Sequence, residues 1–289
     1  MAESQLRYSI RKLLEAESKG SYQTQNKRQI ELLQMAHDLY ANGYKLEHVK
    51  GLKPKHIECL NKIWRERELS TGTIKNKNTQ LRWWAEHVGK ASMMPTNDEL
   101  GVPRRIYATN VNKGMELPND QAEMHPLAQV YLSLERHLGL RREEAIKIKP
   151  HLADKGDYLD LQGSWCKGGR PRRIPILTAE ARAAIDAAKN IATNKAASLI
   201  PSDKTYVKQV YFYKNQLAKH GVKRAHGLRH SYAQDCYKAL TGWECPARGG
   251  LKVNELIPEQ KQIDKDARLE ISHSLGHGRR AIVAQYCGR

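Results

Sequence analysis

Residues 157–176 read DYLDLQGSWCKGGRPRRIPI. Tyr158, Leu159, Leu161 and Trp165 alternate loosely, Gly168-Gly169 offers a tight turn, and a proline-containing basic run follows. This pattern predicts a small antiparallel sheet of two or three strands. It is the one clear β element. On either side the apolar residues recur at helical spacing, so the expected fold class is mainly α with a small antiparallel β-sheet.

Upstream, Ile30, Leu33, Met35, Ala36 and Leu39 predict a helix over 25–40, and Ile57, Leu60, Ile63 and Trp64 a second over 54–67. Pro54 suits its first turn, where a missing N–H costs nothing. Ser70-Thr71 then caps a third, carrying Ile74, Leu81, Trp84 and Val88. Its other face presents Lys75, Lys77, Arg82 and Lys90, which read either as a plain solvated face or, in a chain this basic, as candidate phosphate contacts. Trp83 and Trp84 are read as core. Residues 91–105 hold two prolines and a glycine and are read as the start of an interdomain linker. The expected domains are therefore 1–108 and 109–289. Downstream, helices are expected from about 120, over the RREEAIKIK segment, and over 178–187, 203–219 and 226–240. The stretch 241–265 reads as loop, and 267–286 as two short helices around Gly276.

Lys and Arg number 49 against 31 acidic residues, a net charge of +18. Such an excess points to a polyanion, and double-stranded DNA is the commonest. Hydrophobic residues make up 40%, enough for a packed core. No segment approaches about 18 consecutive apolar residues, so no membrane span or signal peptide is expected and the compartment is read as cytoplasmic. The five scattered cysteines suit reduced thiols.

Four pieces carry cationic or titratable side chains in unusual contexts. They are GLRREE with Arg141 and Glu144, CKGGRPRRIPI with Lys167, HGLRHSYA with His226, Arg229 and His230, and SLGHGRRAIVAQYCGR with His277 nine residues before Tyr286. Singly each is weak. His226 and His230 could pair on a metal, but no third ligand has the right spacing, so neither metal nor cofactor is expected.

In this order the pieces resemble the tyrosine recombinase (phage integrase) family, from about Gly139 to Tyr286. The matching residues are Gly139, Leu140, Arg141 and Glu144; Lys167 with Arg173–Ile176; His226, Leu228, Arg229, His230 and Ser231; and Leu275, Gly276, His277 and Tyr286. The resemblance implies a helical N-terminal core-binding domain that clamps DNA together with a catalytic domain. It implies a site-specific recombinase or integrase of a phage or other mobile element, bacterial or phage-encoded, working through a 3′-phosphotyrosine. Tyr286 would be the nucleophile, Arg141 and Arg229 the clamp on the nonbridging oxygens, and Lys167 the acid for the leaving 5′ oxygen. His226 would accept or orient the phenolic proton, His277 would bind a nonbridging oxygen, and Glu144 would orient its neighbouring arginine. His230 is read as a bracing residue, and Arg142, Arg170 and Arg172 as phosphate contacts or plain surface. The implied partners are duplex DNA, a homotetramer on paired sites and accessory DNA-bending proteins.

Tyr286 lies three residues from the end of the sequence, whereas many members continue for a further docking helix. About 45 residues separate His230 from the Leu275–His277 box, more than the family leads one to expect. Trp243 or Leu251, within that stretch, is accordingly expected to anchor a neighbouring subunit, so that deleting 243–258 reduces tetramers. Two rival readings stand beside the recombinase: a type IB topoisomerase-like enzyme, and a catalytically inactive architectural DNA-binding protein.

Overall fold

The computed structural model describes residues 2–289. The chain divides into two compact units, Met1–Ile106 and Tyr107–Arg289.

The first unit packs four helices: α1 (Ala2–Ala16), α2 (Tyr22–Ala41), α3 (Pro54–Glu66) and α4 (Thr71–His87). Their inward faces meet in one core that includes Leu6, Ile10, Leu39, Leu60, Trp64 and Trp84. Helix α1 goes unread in the sequence, although Leu6, Ile10 and Leu13 have helical spacing; Leu6 and Ile10 are buried. Ser21 and Ser70 cap α2 and α4 by accepting from Thr24 and Thr73 backbone N–H groups. Two buried amides, Asn61 and Asn78, exchange hydrogen bonds of 3.1 and 3.0 Å and lock α3 to α4.

Residues 91–105 are not a linker. Leu100 and Val102 enter the core, and Arg65 donates to the Leu100 carbonyl at 2.9 Å. Proline and glycine broke the helical period there without breaking the packing. The phosphate-facing row on α4 also needs correction. Lys77 pairs with Glu31 at 2.6 Å, Arg82 donates to the Pro95 carbonyl at 2.9 Å, and Lys90 donates to the Leu52 carbonyl at 2.9 Å. Their donors serve the unit's own fold, which leaves Lys75 from that row. Trp84 is core as expected, but Trp83 is half-buried, stacked on His87 with the Arg28 guanidinium over its ring.

The second unit is built on α5 (Pro126–Leu138), α8 (Ala179–Ile191), α9 (Tyr206–Lys219), α10 (His226–Thr241) and α11 (Pro258–Ser274), with short helices α6 (Arg142–Lys147), α7 (Pro150–Ala153) and α12 (Ala284–Cys287). Its sheet is the hairpin β1 (Tyr158–Leu161) and β2 (Arg172–Pro175), antiparallel with Leu159 opposite Ile174 and Leu161 opposite Arg172. Helix α11 starts at Pro258, so the loop expected over 241–265 is shorter. The first of the two helices expected around Gly276 is a 17-residue element. The start of the 243–258 stretch is integral to this unit, whereas Leu251 further along it is exposed, so the other residue expected to anchor a neighbour stays available on the surface. Cys245 and Ala247 are buried, Trp243 packs on the same core, and Arg248 pairs with Asp235 at 2.6 Å. Trp243 is therefore no free subunit anchor, and deleting this stretch would damage the fold itself. All five cysteines are free thiols. Among the described residues no helix is long and apolar enough to cross a membrane.

One buried acid lies in this core. Glu135 on α5 is 2% exposed and accepts from the Tyr213 hydroxyl at 3.0 Å. Burial pushes its carboxyl up to about 8, against the pull of the Arg142 and Arg229 charges. The folded chain then holds a proton that the unfolded chain releases near 4.5, so stability falls as pH rises from 4.5 towards 8. Glu135→Gln keeps the shape without the charge. We expect its thermal midpoint to rise at the alkaline end of this window, by about 2–4 °C for each kcal/mol recovered, and to change little at the acidic end. Equal loss at both ends would contradict this account.

Candidate active site

Four structural features carry the site. The first is the end of α5. Gly139 stops that helix at φ +58°, and a Cβ there would come within 2.3 Å of the Tyr232 ring. Only glycine meets both demands. Arg141 follows as the N-cap of α6, where the Glu144 carboxylate accepts from its backbone N–H at 2.6 Å and from its guanidinium at 2.8 Å.

The second feature is the first turn of α10, which places Arg229 wholly inside the protein. Its guanidinium donates to the Gly139 and Leu275 carbonyls. Its Nε lies 3.5 Å from the Tyr286 hydroxyl.

The third is the C-terminus of α11. Arg141 also donates to the Leu275 carbonyl, at 3.0 Å, and Arg172 donates to the Ser274 carbonyl at 2.8 Å. Three guanidinium groups thus sit on the last carbonyls of one helix, where the unpaired C=O groups and the negative end of the helix dipole favour cations. The turn leaves α11 through Gly276 at φ +64°, where a Cβ would lie 2.8 Å from Arg172 Cδ. Gly276→Ala should cost about 1–3 kcal/mol by denaturant titration, from backbone strain together with that clash. A cost below about 0.5 kcal/mol, the scale of an ordinary surface change, would contradict the packing described.

The fourth is α12, which carries Tyr286. The phenol is 7% exposed, and its oxygen lies 3.2 Å from His277 Nε2. The His230 ring packs 4.7 Å from the phenol ring, centroid to centroid. Burial, with the charges of Arg229, Arg141 and Arg172, holds His277 down at about 4, so its imidazole is neutral at physiological pH. Burial, with His226 and Lys113, does the same for His230, at about 4. Burial also pushes Arg229 down, to about 10, which leaves it charged. Burial alone would raise Glu144. Its hydrogen bonds from Arg172 and the charges of Arg172, Arg141 and Arg229 outweigh that and hold it at about 2.

The structure thus brings Tyr286, Arg229, His277, Arg141 and Glu144 together. The histidine at the phenol oxygen is His277. His226 has an accessible edge and its ring lies 6.1 Å from the phenol ring; desolvation of the part that faces the protein, with the charges of Arg229 and Arg141, lowers its pKa. Lys167 and Arg170 stand exposed on the hairpin turn, and among the described residues no hydrogen bond or ion pair joins Lys167 to the cluster. Arg172 overturns the reading of it as surface or phosphate contact. Its side chain is 5% exposed and bonds both Glu144 oxygens, at 2.8 and 2.7 Å. The signal was available in the strand period, because Arg172 shares the face of buried Ile174, two residues on. The sequence reading also missed a cleft of about 870 Å³ lined by Arg142, Lys214, Lys223, Arg224 and His226. Lys223-Arg224, immediately before the His226 box, was its visible trace. Among the described residues no group of three or more His, Cys, Asp or Glu side chains could hold a metal ion.

Comparisons with known proteins bear on the family and the fold. Residues 3–94 match the family described as phage integrase, N-terminal, and residues 116–235 match the family described as integrase. Together these take in well over half the chain, which belongs to the phage integrase family of tyrosine recombinases. Its class is accordingly that of a site-specific recombinase, an enzyme. Among solved structures, the Tn1549 transposon integrase (residues 82–397), in complex with circular intermediate DNA, shares the fold at a TM-score of 0.55 and 12% identity, over 98% of this chain and 95% of that one. The XerH site-specific recombinase, bound to a palindromic difH substrate in a post-cleavage complex, matches at 0.54 and 15% identity, over 91% of this chain and 76% of that one. Among curated proteins, none matches the sequence.

Proposed function

We propose that this chain cleaves and rejoins duplex DNA through a 3′-phosphotyrosine at Tyr286, as the recombinase of a phage or other mobile element. One observation carries the reading: the phenol oxygen lies 3.5 Å from Arg229 Nε and 3.2 Å from His277 Nε2. A free phenol ionises near about 10 and needs activation. His277, neutral, accepts the phenol's hydrogen bond; the negative charge of the incoming phosphate offsets the burial and the arginine charges that depress its pKa, so that it takes the proton as Arg229 stabilises the phenolate. Arg141, its side chain 21% exposed, and Arg229 then face the charge that builds on the nonbridging oxygens. The bond from phosphorus to the 5′ oxygen breaks, and Lys167, on the exposed hairpin turn, protonates the leaving oxygen. Rejoining runs the same steps backwards: a 5′ hydroxyl attacks, its proton passes to Lys167, and Tyr286 leaves. The phosphoester energy is kept throughout, so neither ATP nor a metal is required.

The partner is double-stranded DNA. The net charge of +18 and the basic cleft beside His226 support this. Lys75, Arg170 and the cleft residues contact backbone phosphates. The N-terminal unit is the DNA-gripping core-binding domain, and the unit from about residue 109 is the catalytic domain. Homotetramers form on paired sites, aided by DNA-bending proteins.

The test is a nicked duplex carrying the ends of the encoding element, in buffer with chelator and without ATP. Expected is a protein–DNA adduct that survives denaturation. Failure to trap one on any such site would contradict the reading. Relaxation of supercoiled plasmids regardless of site would favour the type IB topoisomerase reading instead.

A further inference from the structure

We propose that Arg172 is a positioning residue for DNA cleavage, holding Arg141 and the Leu275–His277 turn in register through a carboxylate shared with Arg141. This rests on the function proposed above. Glu144 is wholly buried, and its two oxygens accept from both guanidinium groups, from Arg141 at 2.8 Å and from Arg172 at 2.8 and 2.7 Å. Arg172 also donates to the Ser274 carbonyl at 2.8 Å, one residue before the carbonyl that accepts from Arg141 and Arg229. Its aliphatic stem fills the space that Gly276 leaves open, 2.8 Å from where a Cβ would stand. Strand β2 is thereby tied to the start of α6 and the end of α11, the two elements that place Arg141 and His277.

Fold stability is a poor explanation for this arrangement. Arg141, Arg172 and Arg229 against Glu144 sum to +3 − 1 = +2 in a largely buried cluster. Buried charges recover their desolvation cost only with good geometry, and an apolar set of equal volume commonly serves stability as well or better. What the third arginine adds is rigidity. Without it, Glu144 keeps only Arg141, through its backbone N–H at 2.6 Å and its partly exposed guanidinium at 2.8 Å, and the ties to β2 and to the Ser274 carbonyl are lost. A reacting group displaced by about 1 Å can lose about 10²-fold in rate.

The experiment compares two nicked duplexes in single-turnover adduct formation. One has an ordinary scissile phosphodiester. In the other a methyl group replaces one nonbridging oxygen, so that the phosphorus centre carries no charge. Arg141→Ala serves as the benchmark for a missing clamp cation, and Tyr286→Phe as the blank. Arg172→Met should lose about 10²-fold on the phosphodiester and recover to within about tenfold of wild type on the neutral substrate, following the benchmark. A variant that merely destabilises the fold would lose on both substrates alike. Arg172→Lys keeps the charge but not the fork, so it should show the same pattern more weakly. It decides the matter if thermal melting shows that Arg172→Met does not fold. The proposal is overturned if folded Arg172→Lys matches wild type on the phosphodiester, or if the impaired variants fall equally on both substrates. Absence of a wild-type adduct, or its persistence in Tyr286→Phe, would overturn the underlying reading instead.

Discussion

Tyr286→Phe should abolish the covalent DNA adduct while leaving DNA binding within about twofold of wild type. The substitution removes one oxygen and keeps the ring that packs against His230. Deleting a nucleophile costs about 10⁴- to 10⁶-fold in enzymes of covalent mechanism, so residual adduct should lie below detection. Binding draws on the charged surface, which the change does not touch. The fold should also hold. The phenol oxygen bonds only to Arg229 and His277 among the described residues, and the Gln234 side-chain amide still donates to the Tyr286 carbonyl at 3.0 Å. Quantitative gel shift and denaturing gel, run on the same samples, check both halves. An adduct at wild-type level would remove Tyr286 from the mechanism.

Arg229→Lys should lose at least about 10²- to 10³-fold in single-turnover cleavage, the range for one preorganised donor to developing charge. It should lose stability as well. The guanidinium reaches the Gly139 carbonyl, the Leu275 carbonyl and the Tyr286 hydroxyl in three directions at once. An ammonium on a flexible stem cannot span that fork. Each buried carbonyl left unpaired costs about 1–3 kcal/mol, so the denaturant midpoint should fall with the rate. Retention of more than a tenth of wild-type activity would show that the fork is not needed.

The helical class and the hairpin were legible because their signals are local. Period 3.6 marked α2, α3, α4 and α10, and the shift to a loose period of two marked β1 and β2. Pairing the four boxes was possible because each carries several residues at fixed offsets. What escaped was set by packing. Proline and glycine between 91 and 105 looked like a linker, yet Leu100 and Val102 are core. Five basic residues that looked alike in sequence part company in space. Lys167 and Arg170 are exposed, Lys77 and Arg82 are bound to their own unit, and Arg172 is buried on Glu144. Charge in a sequence does not say which carboxylate or carbonyl will be near enough to claim it. Likewise the boxes could not say which histidine would lie nearest the nucleophile, because His226 and His277 sit on different elements whose approach is a tertiary fact.

The central claim is that one phenol, held against Arg229 and His277, forms the bond to DNA. The most direct measurement is mass spectrometry of the trapped adduct after nuclease and trypsin digestion. The account predicts a nucleotide 3′-phosphate on the peptide 281–289, AIVAQYCGR, attached at Tyr286. A nucleotide carried by any other side chain would contradict it.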